Sequence, residues 1–293
     1  MLKVLITGVT GFIGRNLAEQ LAQVYALSAP NSKTLDLLDA GAVRDYLRAG
    51  RFDVIVHAAI TRVTRRLAAP PDMLDRNCRM FFNLVRNQGL FGKLIYFGSG
   101  AEYDRRCMPP RVTEDYFDTH VPADAYSFSK YICAKYTEQA SGICNLRLFG
   151  VFGPHEAWDV RFISNACCRV VHGLPIVIRQ DVRFDYLHTG DLARLTRWFI
   201  ENDPPHKAYN VCTGRSYSLC ELAAIVADVS GRNPEIIVRQ EGMAREYSGD
   251  NRRLLQAMDG YRFREMRHCI GELYAWYESR KTQIDPDQLR FDG

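Results

Sequence analysis

One short stretch near the N-terminus constrains this chain more than any other. Gly8-Val9-Thr10-Gly11-Phe12-Ile13-Gly14 follows the apolar run Val4–Thr7 directly and opens a segment of helical periodicity. A strand that turns through glycines into a helix collects free N–H groups and the positive end of the helix dipole at one point. The glycines allow a tight turn, a close approach of backbone to an anion, and close helix–strand packing. That geometry suits the pyrophosphate of a dinucleotide. Gly8, Thr10, Gly11, Phe12, Ile13 and Gly14 are therefore candidate cofactor-binding residues.

The rest of the first half repeats the same alternation. Strands are expected at Tyr25–Ser28, Val54–Ala58, Leu94–Gly98 and Ile143–Phe149. Helices are expected at Arg15–Val24, Ala40–Ala49, Asp72–Gln88 and Tyr126–Ser141. Strands alternating with helices of this length make a parallel sheet with right-handed crossovers. Such strands are covered on both faces, so runs like DVIV and LIYF need not alternate with polar residues. After Gly150 the loops lengthen and prolines appear, and helices such as Phe162–Val171 and Leu219–Val229 pair less regularly with strands. The expected fold class is α/β: a Rossmann doubly wound parallel sheet with a smaller C-terminal α/β substrate-binding region. The 293 residues suit one large domain or two small ones.

Composition excludes several classes. Apolar residues make up 47% and charged residues 25%, which is globular and not disordered. The net charge is +4, and the arginines between Arg44 and Arg86 are interspersed with apolar and acidic residues. No helix-turn-helix, zinc finger or aromatic–basic platform is visible, so no nucleic-acid partner is expected. No apolar run is long enough to span a bilayer, and no secretory leader is seen. The nine cysteines form no CxxC pair and no Cys/His cluster of zinc spacing. No metal is expected, and the thiols read as reduced, buried and cytoplasmic.

A second constellation carries chemistry. Tyr126-Ser127-Phe128-Ser129-Lys130 places a phenol and an ammonium four residues apart, on one face of a helix. A free phenol titrates near 10, and a neighbouring cation is expected to lower it. Such a phenol exchanges a proton with a carbonyl or alcohol oxygen. Ser99 lies upstream at the end of Leu94–Gly98, where α/β sheets place functional residues. The second strand ends in Ser28-Ala29-Pro30-Asn31-Ser32-Lys33. An acid there would hold the 2′-hydroxyl of NAD; Ser28 and Lys33 suit a 2′-phosphate instead. NADP(H) is favoured, with NAD(H) possible.

Taken together, these motifs resemble the extended short-chain dehydrogenase/reductases, the NAD-dependent epimerase/dehydratase family. The resemblance runs over nearly the whole chain and implies catalytic roles for Ser99, Tyr126 and Lys130. It implies cofactor contacts at Asp36, Leu37, Ala58, Ala59, Asn77 and Phe149 as well as at Tyr126 and Lys130. Asp36 could equally cap the helix that follows. Asn77 stands where the family supports the active-site helix. Substrate contacts are implied for Ser99, Tyr103, Tyr126, Val177 and Arg183, with Arg183 either a phosphate clamp or paired with Asp181 or Asp185. The cofactor domain would take residues 1–150 plus about 182–213, and the substrate domain about 151–181 and 214–293. A homodimer through the helices carrying Phe81, Phe82, Ile132 and Tyr136 is also implied.

The segment Ser99-Gly100-Ala101-Glu102-Tyr103 narrows the reaction. The family's sugar dehydratases carry Asp-Glu directly after the catalytic Ser or Thr; Gly100-Ala101 stands there. GDP-fucose synthases, which the chain also resembles, epimerise with a Cys at the position of Ala101 and a His near 160–164, where this chain has Arg161. Hydride transfer with tyrosine-assisted protonation remains. The expected function is NADPH-dependent reduction of a 4-keto-6-deoxy nucleotide sugar. A nucleotide-sugar 4-epimerase using NAD is the alternative, and a non-catalytic nucleotide sensor the remote one.

Overall fold

The computed structural model describes residues 1–61 and 70–289. Part of the arginine-bearing stretch (62, 65 and 66) and the last residues of the substrate domain (290–293) lie outside the described residues. In chain order, the first half comprises β1 (Lys3–Thr7), α1 (Phe12–Leu21), β2 (Ala26–Ser28), α2 (Ala40–Gly50), β3 (Phe52–His57), α3 (Met73–Val85), β4 (Phe91–Ser99), α4 (Ala125–Gln139) and β5 (Ile143–Leu148). The second half comprises β6 (Gly150–Phe152), α5 (Phe162–Val171), β7 (Ile176–Asp181), β8 (Arg183–His188), α6 (Thr189–Glu201) and β9 (Ala208–Val211). It continues with β10 (Ser216–Ser218), α7 (Leu219–Ser230), β11 (Ile236–Met243), α8 (Arg252–Ala257), α9 (Met266–Glu278) and α10 (Pro286–Leu289).

Six parallel strands form the main sheet in the order β2-β1-β3-β4-β5-β9. Successive side chains of β1 serve opposite cores, as strand period requires. Val4 and Ile6 pack with Leu17, Leu192 and Phe199 on the α1/α6 side. Leu5 packs with Val43, Leu47, Phe81 and Leu84 on the α2/α3 side. Strand order reverses between β1 and β3, so a crevice opens at their carboxyl ends, the usual ligand position in such sheets. The doubly wound α/β expectation is met.

Beyond β5 the chain divides its loyalties. β8 was expected to return to the cofactor domain from about residue 182. It pairs with β6 and β10 in a separate three-stranded sheet instead. The chain rejoins the main sheet through α6, packed on α1, through β9, paired with β5, and through α8, packed on β9. Helices α5, α7 and α9 build a second apolar core around Ile163, Cys167, Leu222, Ile270 and Leu273.

The glycine turn sits where the strand reversal demands it. Gly8 has φ +77°, and a Cβ there would stand 2.6 Å from the Ala59 nitrogen. A Cβ on Gly14 would stand 2.3 Å from the Gly8 carbonyl oxygen. The helix therefore starts at Phe12, earlier than the expected Arg15, with Gly14 in its first turn against the strand end. Asp36 was weighed as the cap of α2. Asp39 holds that place, accepting from the Gly41 and Ala42 amides at 2.8 and 3.0 Å. Asp36 accepts from the Leu38 amide in the preceding turn.

Alanine in an ordinary helix interior is favoured over glycine by about 1 kcal/mol. Gly14→Ala should reverse that sign, because neither backbone can yield. A loss of about 1–3 kcal/mol is expected from urea unfolding. An unchanged or raised midpoint would contradict this close approach.

Candidate active site

The end of β4 is built by a buried carboxylate. The chain leaves β4 at Ser99 into a short 3-10 helix, Gly100–Tyr103. Ser99 and Glu102 form a reciprocal capping box. The Ser99 Oγ accepts from the Ala101 amide at 3.1 Å, and the Ser99 amide donates to Glu102 Oε1 at 2.9 Å. Glu102 is fully buried, and its other oxygen takes Arg147 Nε at 2.7 Å and Asn145 Nδ2 at 3.0 Å. Arg147 and Asn145 lie on β5, so one carboxylate fastens the Ser99 turn to the neighbouring strand. The S-x-x-E spacing is the local signal that could have found this capping box, though it went unused among the sequence expectations. Its charge partner leaves no such signal.

Helix α4 brings Tyr126 and Lys130 to the same place. Asp124 caps the helix by accepting from the Ser127 amide at 2.9 Å. Asn77 of α3 donates to Ser129 Oγ at 3.2 Å and accepts from the Thr61 amide at 2.9 Å, so it braces α4. The structure places Ser99 at the end of β4 and Tyr126 and Lys130 on α4, whose contacts run to the Ser99 turn and to β4. The Ser99 hydroxyl interacts with the Tyr126 phenol and pulls its pKa down.

The expected effect of Lys130 on Tyr126 takes a different form. Its ammonium donates to the Phe97 carbonyl at 2.6 Å and sits 4.6 Å from the centre of the Tyr96 ring. Burial pushes Lys130 down to about 8. Tyr126 itself ends above its ordinary value, because burial outweighs the lowering by Ser99, Arg161 and Arg105. At neutral pH the phenol holds its proton.

The crevice beside this group matches a dinucleotide cradle. The α1 N-terminus has no side-chain cap, leaving its amides open, and the glycine turn closes to within contact of Ala58 and Ala59. Thr10 is exposed on that turn, and Phe12 and Ile13 are half-buried at the helix start. His57 accepts or donates with Thr7 Oγ1 at 2.8 Å, and burial and Lys130 push it down to about 3, so it stays neutral. At the end of β2 the Ser28 hydroxyl meets the Tyr46 hydroxyl at 2.8 Å, and Lys33 is exposed. Leu37 turns its side chain into the core and its carbonyl to Asn83 Nδ2 at 2.8 Å.

The substrate side departs furthest from expectation. Tyr103 was expected to touch substrate. It is 1% exposed, and its hydroxyl donates to Asn210 Oδ1 at 2.6 Å, beneath the site. Arg183 was expected either to clamp phosphate or to pair with Asp181 or Asp185. It donates to Glu221 at 3.1 Å and to the Ser216 carbonyl at 2.9 Å. Asp185 is turned inward, accepting from the Thr213 and Gly214 amides at 2.8 and 2.7 Å. Val177 stands half-buried on β7, in register with Ile237.

What lines the Ser99–Tyr126 cleft instead is aromatic and cationic. Phe149, Tyr247, Phe184 and Tyr186 form a chain of ring contacts, with centroids 5.2, 5.9 and 5.5 Å apart in turn. Arg105 lies 4.5 Å from the centre of the Tyr247 ring. Arg105 and Arg161 both act on Tyr126 and Tyr186. Both are exposed, and among the described residues neither has a carboxylate at ion-pair distance. Glu156 is buried nearby, takes the Ser164 hydroxyl at 2.6 Å, and is pushed up to about 7 by burial. Phe184 and Tyr186 come from β8, Arg161 from the N-terminus of α5, and Phe149, Arg105, Glu156 and Tyr247 from connecting segments far apart in the chain, so no local pattern gathers them. Among the described residues no group of His, Cys, Asp and Glu could hold a metal ion, and no helix is long and apolar enough to cross a membrane.

Removing one member of a buried ion pair costs about 3–5 kcal/mol, because the other charge is left unpaired. Glu102→Gln should lose that much stability in urea unfolding. A loss below about 1 kcal/mol would mean the pair does not anchor the site.

The geometry agrees with comparison to known proteins. The chain is 27% identical over 302 residues to a GDP-6-deoxy-D-talose 4-dehydrogenase of Aggregatibacter actinomycetemcomitans, covering 93% of this chain and 97% of that one. It is 25% identical over 268 residues to a GDP-L-colitose synthase of Yersinia pseudotuberculosis, covering 78% and 82%. Its fold superposes with a TM-score of 0.80 on a GDP-mannoheptose C4 reductase of Campylobacter jejuni with NADP bound, at 21% identity and with 94% and 98% coverage. Residues 4–212 match the family described as NAD dependent epimerase/dehydratase, and the chain belongs to that family.

Proposed function

We propose that this protein reduces the 4-keto group of a nucleotide-linked 6-deoxy sugar with NADPH. The observation that carries the reading is the meeting of Ser99, Tyr126 and Lys130 beside an uncapped helix N-terminus, with Tyr126 held protonated. A protonated phenol is the form a reduction needs. The relatives named above for 4-dehydrogenase, synthase and C4 reductase activities on GDP-sugars support the same chemistry and make guanosine diphosphate the first carrier to test.

NADPH, when bound, supplies the hydride. The chain's own residues do the rest. The α1 amides and Gly8, Gly11 and Gly14 receive the pyrophosphate, and exposed Lys33 meets the 2′-phosphate. Lys130 holds the nicotinamide ribose by its ammonium. Ser99 donates a hydrogen bond to the keto oxygen. Tyr126 gives its proton to that oxygen as carbon accepts the hydride, so C=O becomes CH–OH and Tyr126 regains its proton from solvent. Arg105 and Arg161 take the phosphate-holding part first expected of Arg183, since among the described residues neither has a carboxylate at ion-pair distance and a guanidinium suits phosphate. We place the protein in the cytoplasm as a homodimer through α3 and α4. Phe81 is spent in the core, so Ile132 and the half-buried Phe82 and Tyr136 would carry that face.

Two experiments test the reading. NADPH consumption is followed with a panel of 4-keto-6-deoxy nucleotide sugars. Turnover with one of them, lost by at least a hundredfold in Tyr126→Phe with cofactor binding retained, is the expected result, in the usual range for removing a general acid. Silence across the panel with NAD copurifying would favour the 4-epimerase alternative. In the second, Arg105→Ala and Arg161→Ala should each raise KM about tenfold, as loss of a charged phosphate contact does, while Arg183→Ala changes it less than about twofold. The reverse order would return the phosphate to Arg183.

A further inference from the structure

Asn16 is a buried amide that the reaction leaves unused. It sits in the second turn of α1, 4% exposed, and its Nδ2 group donates twice. One bond runs to the Phe12 carbonyl of the same helix at 2.9 Å. The other crosses to the Pro154 carbonyl at 2.7 Å, 138 residues away in the chain. An amide nitrogen carries two hydrogens, so both are taken. The first bond fixes the side chain, and the second ties the cofactor helix to a distant loop.

That loop begins at the cleft. Phe149, whose ring would meet a Cβ on Gly100 at 2.6 Å, leads into β6, and β6 leads into Gly153. From there the chain winds through close turns. The Glu156 amide donates to the Gly153 carbonyl at 3.4 Å, and the Val160 and Arg161 amides donate to the Ala157 carbonyl at 3.1 and 2.9 Å. Asn165 of α5 reaches back to the Trp158 carbonyl at 3.1 Å. His155 gives the loop a second hold on α1: its Nε2 lies 3.1 Å from Glu19 Oε2. The same ring stands edge-on to Trp276 of α9, with centroids 5.2 Å apart. A segment turned this closely carries a shift at Pro154 through to Arg161, which opens α5.

The amides that face the pyrophosphate lie ahead of Asn16, and alanine is a better helix former than asparagine. Truncating Asn16 therefore leaves the cradle in place and frees the loop. We propose that Asn16 is a positioning residue for the substrate. From the cofactor helix it holds the Pro154 loop, and through that loop the Arg161 guanidinium, in place for the sugar nucleotide. This rests on the reading above, in which the protein reduces a nucleotide sugar and Arg161 grips its phosphate.

The test separates KM for the nucleotide sugar from the Kd of NADPH, both measured on the intact protein. Asn16→Ala should raise KM about fivefold, as loss of one intramolecular hydrogen bond does, while kcat and the Kd of NADPH change less than about twofold. In an Arg161→Ala background the same change should alter KM less than about twofold, since residues acting as a unit are not additive. His155→Ala removes a partly exposed contact to the same loop and should raise KM about two- to threefold, again with the Kd of NADPH unmoved. A fivefold weaker NADPH with unchanged KM, or equal KM factors in the two backgrounds, would overturn the proposal and leave the reductase reading intact. Should Asn16→Ala not fold, an unaltered KM in His155→Ala overturns it in the same way. A wild-type protein silent on every 4-keto substrate would overturn both together.

Discussion

The site depends on one buried ion pair. Glu102 and Arg147 face each other at 2.7 Å with almost no exposure. Two charges in such a place are tolerable only when their remaining polar atoms find partners. Here the Ser99 amide, Asn145 and the Tyr103 hydroxyl supply several of them. The pair therefore does more than cross-link β4 to β5. It sets the dihedrals of the turn that carries Ser99, and so decides where that hydroxyl stands relative to α4.

The same pair explains why Tyr103 is a framework residue. Its phenol lies under the Arg147 guanidinium, 5.0 Å from ring centre to charge, and passes the network on to Asn210 of β9. The platform thus runs through β4, β5 and β9 and ends below the cleft. Above it, β8 and the segment around Tyr247 lower a lid of aromatic rings. The Ser99 turn is squeezed between a polar floor and an aromatic roof, and Gly100 has no room for a side chain on the roof side.

The cleft is electrostatically lopsided. Arg105 and Arg161 approach Tyr126 from the loop after the 3-10 helix and from the N-terminus of α5. Lys130, the cation four residues along the same helix, is turned onto the Phe97 carbonyl. Residues that share a helix face are neighbours, but which neighbour an ammonium chooses is set by the acceptors around it. A carbonyl at 2.6 Å in a buried place is a strong competitor.

Some of this was written locally and some was not. The glycine turn, the strand–helix alternation, the YxxxK face and the serine at a strand end all depend on residues close in sequence. Period and spacing reveal such features, whereas the strand order that opens the crevice came from the structure, since the crossover rule fixes the hand of each connection and not the order. Tyr103 and Arg183 were expected to meet other partners, and the role of Asp36 was left open, because each has two chemically reasonable uses. Tyr103 could face substrate or Asn210; Arg183 could meet phosphate or Glu221. Only the crossing of β8 with β10 and α7 decided the second, by bringing Glu221 to it. The aromatic wall, the Arg105 and Arg161 guanidiniums and Tyr247 come from β8 and from connecting segments far apart in the chain. Sequence alone determined that a strand–glycine–helix turn and a helix bearing Tyr126 and Lys130 would belong to one parallel sheet. Tertiary structure decided what faces them, because contacts between distant segments depend on the packing of whole layers and leave no periodic trace in either segment.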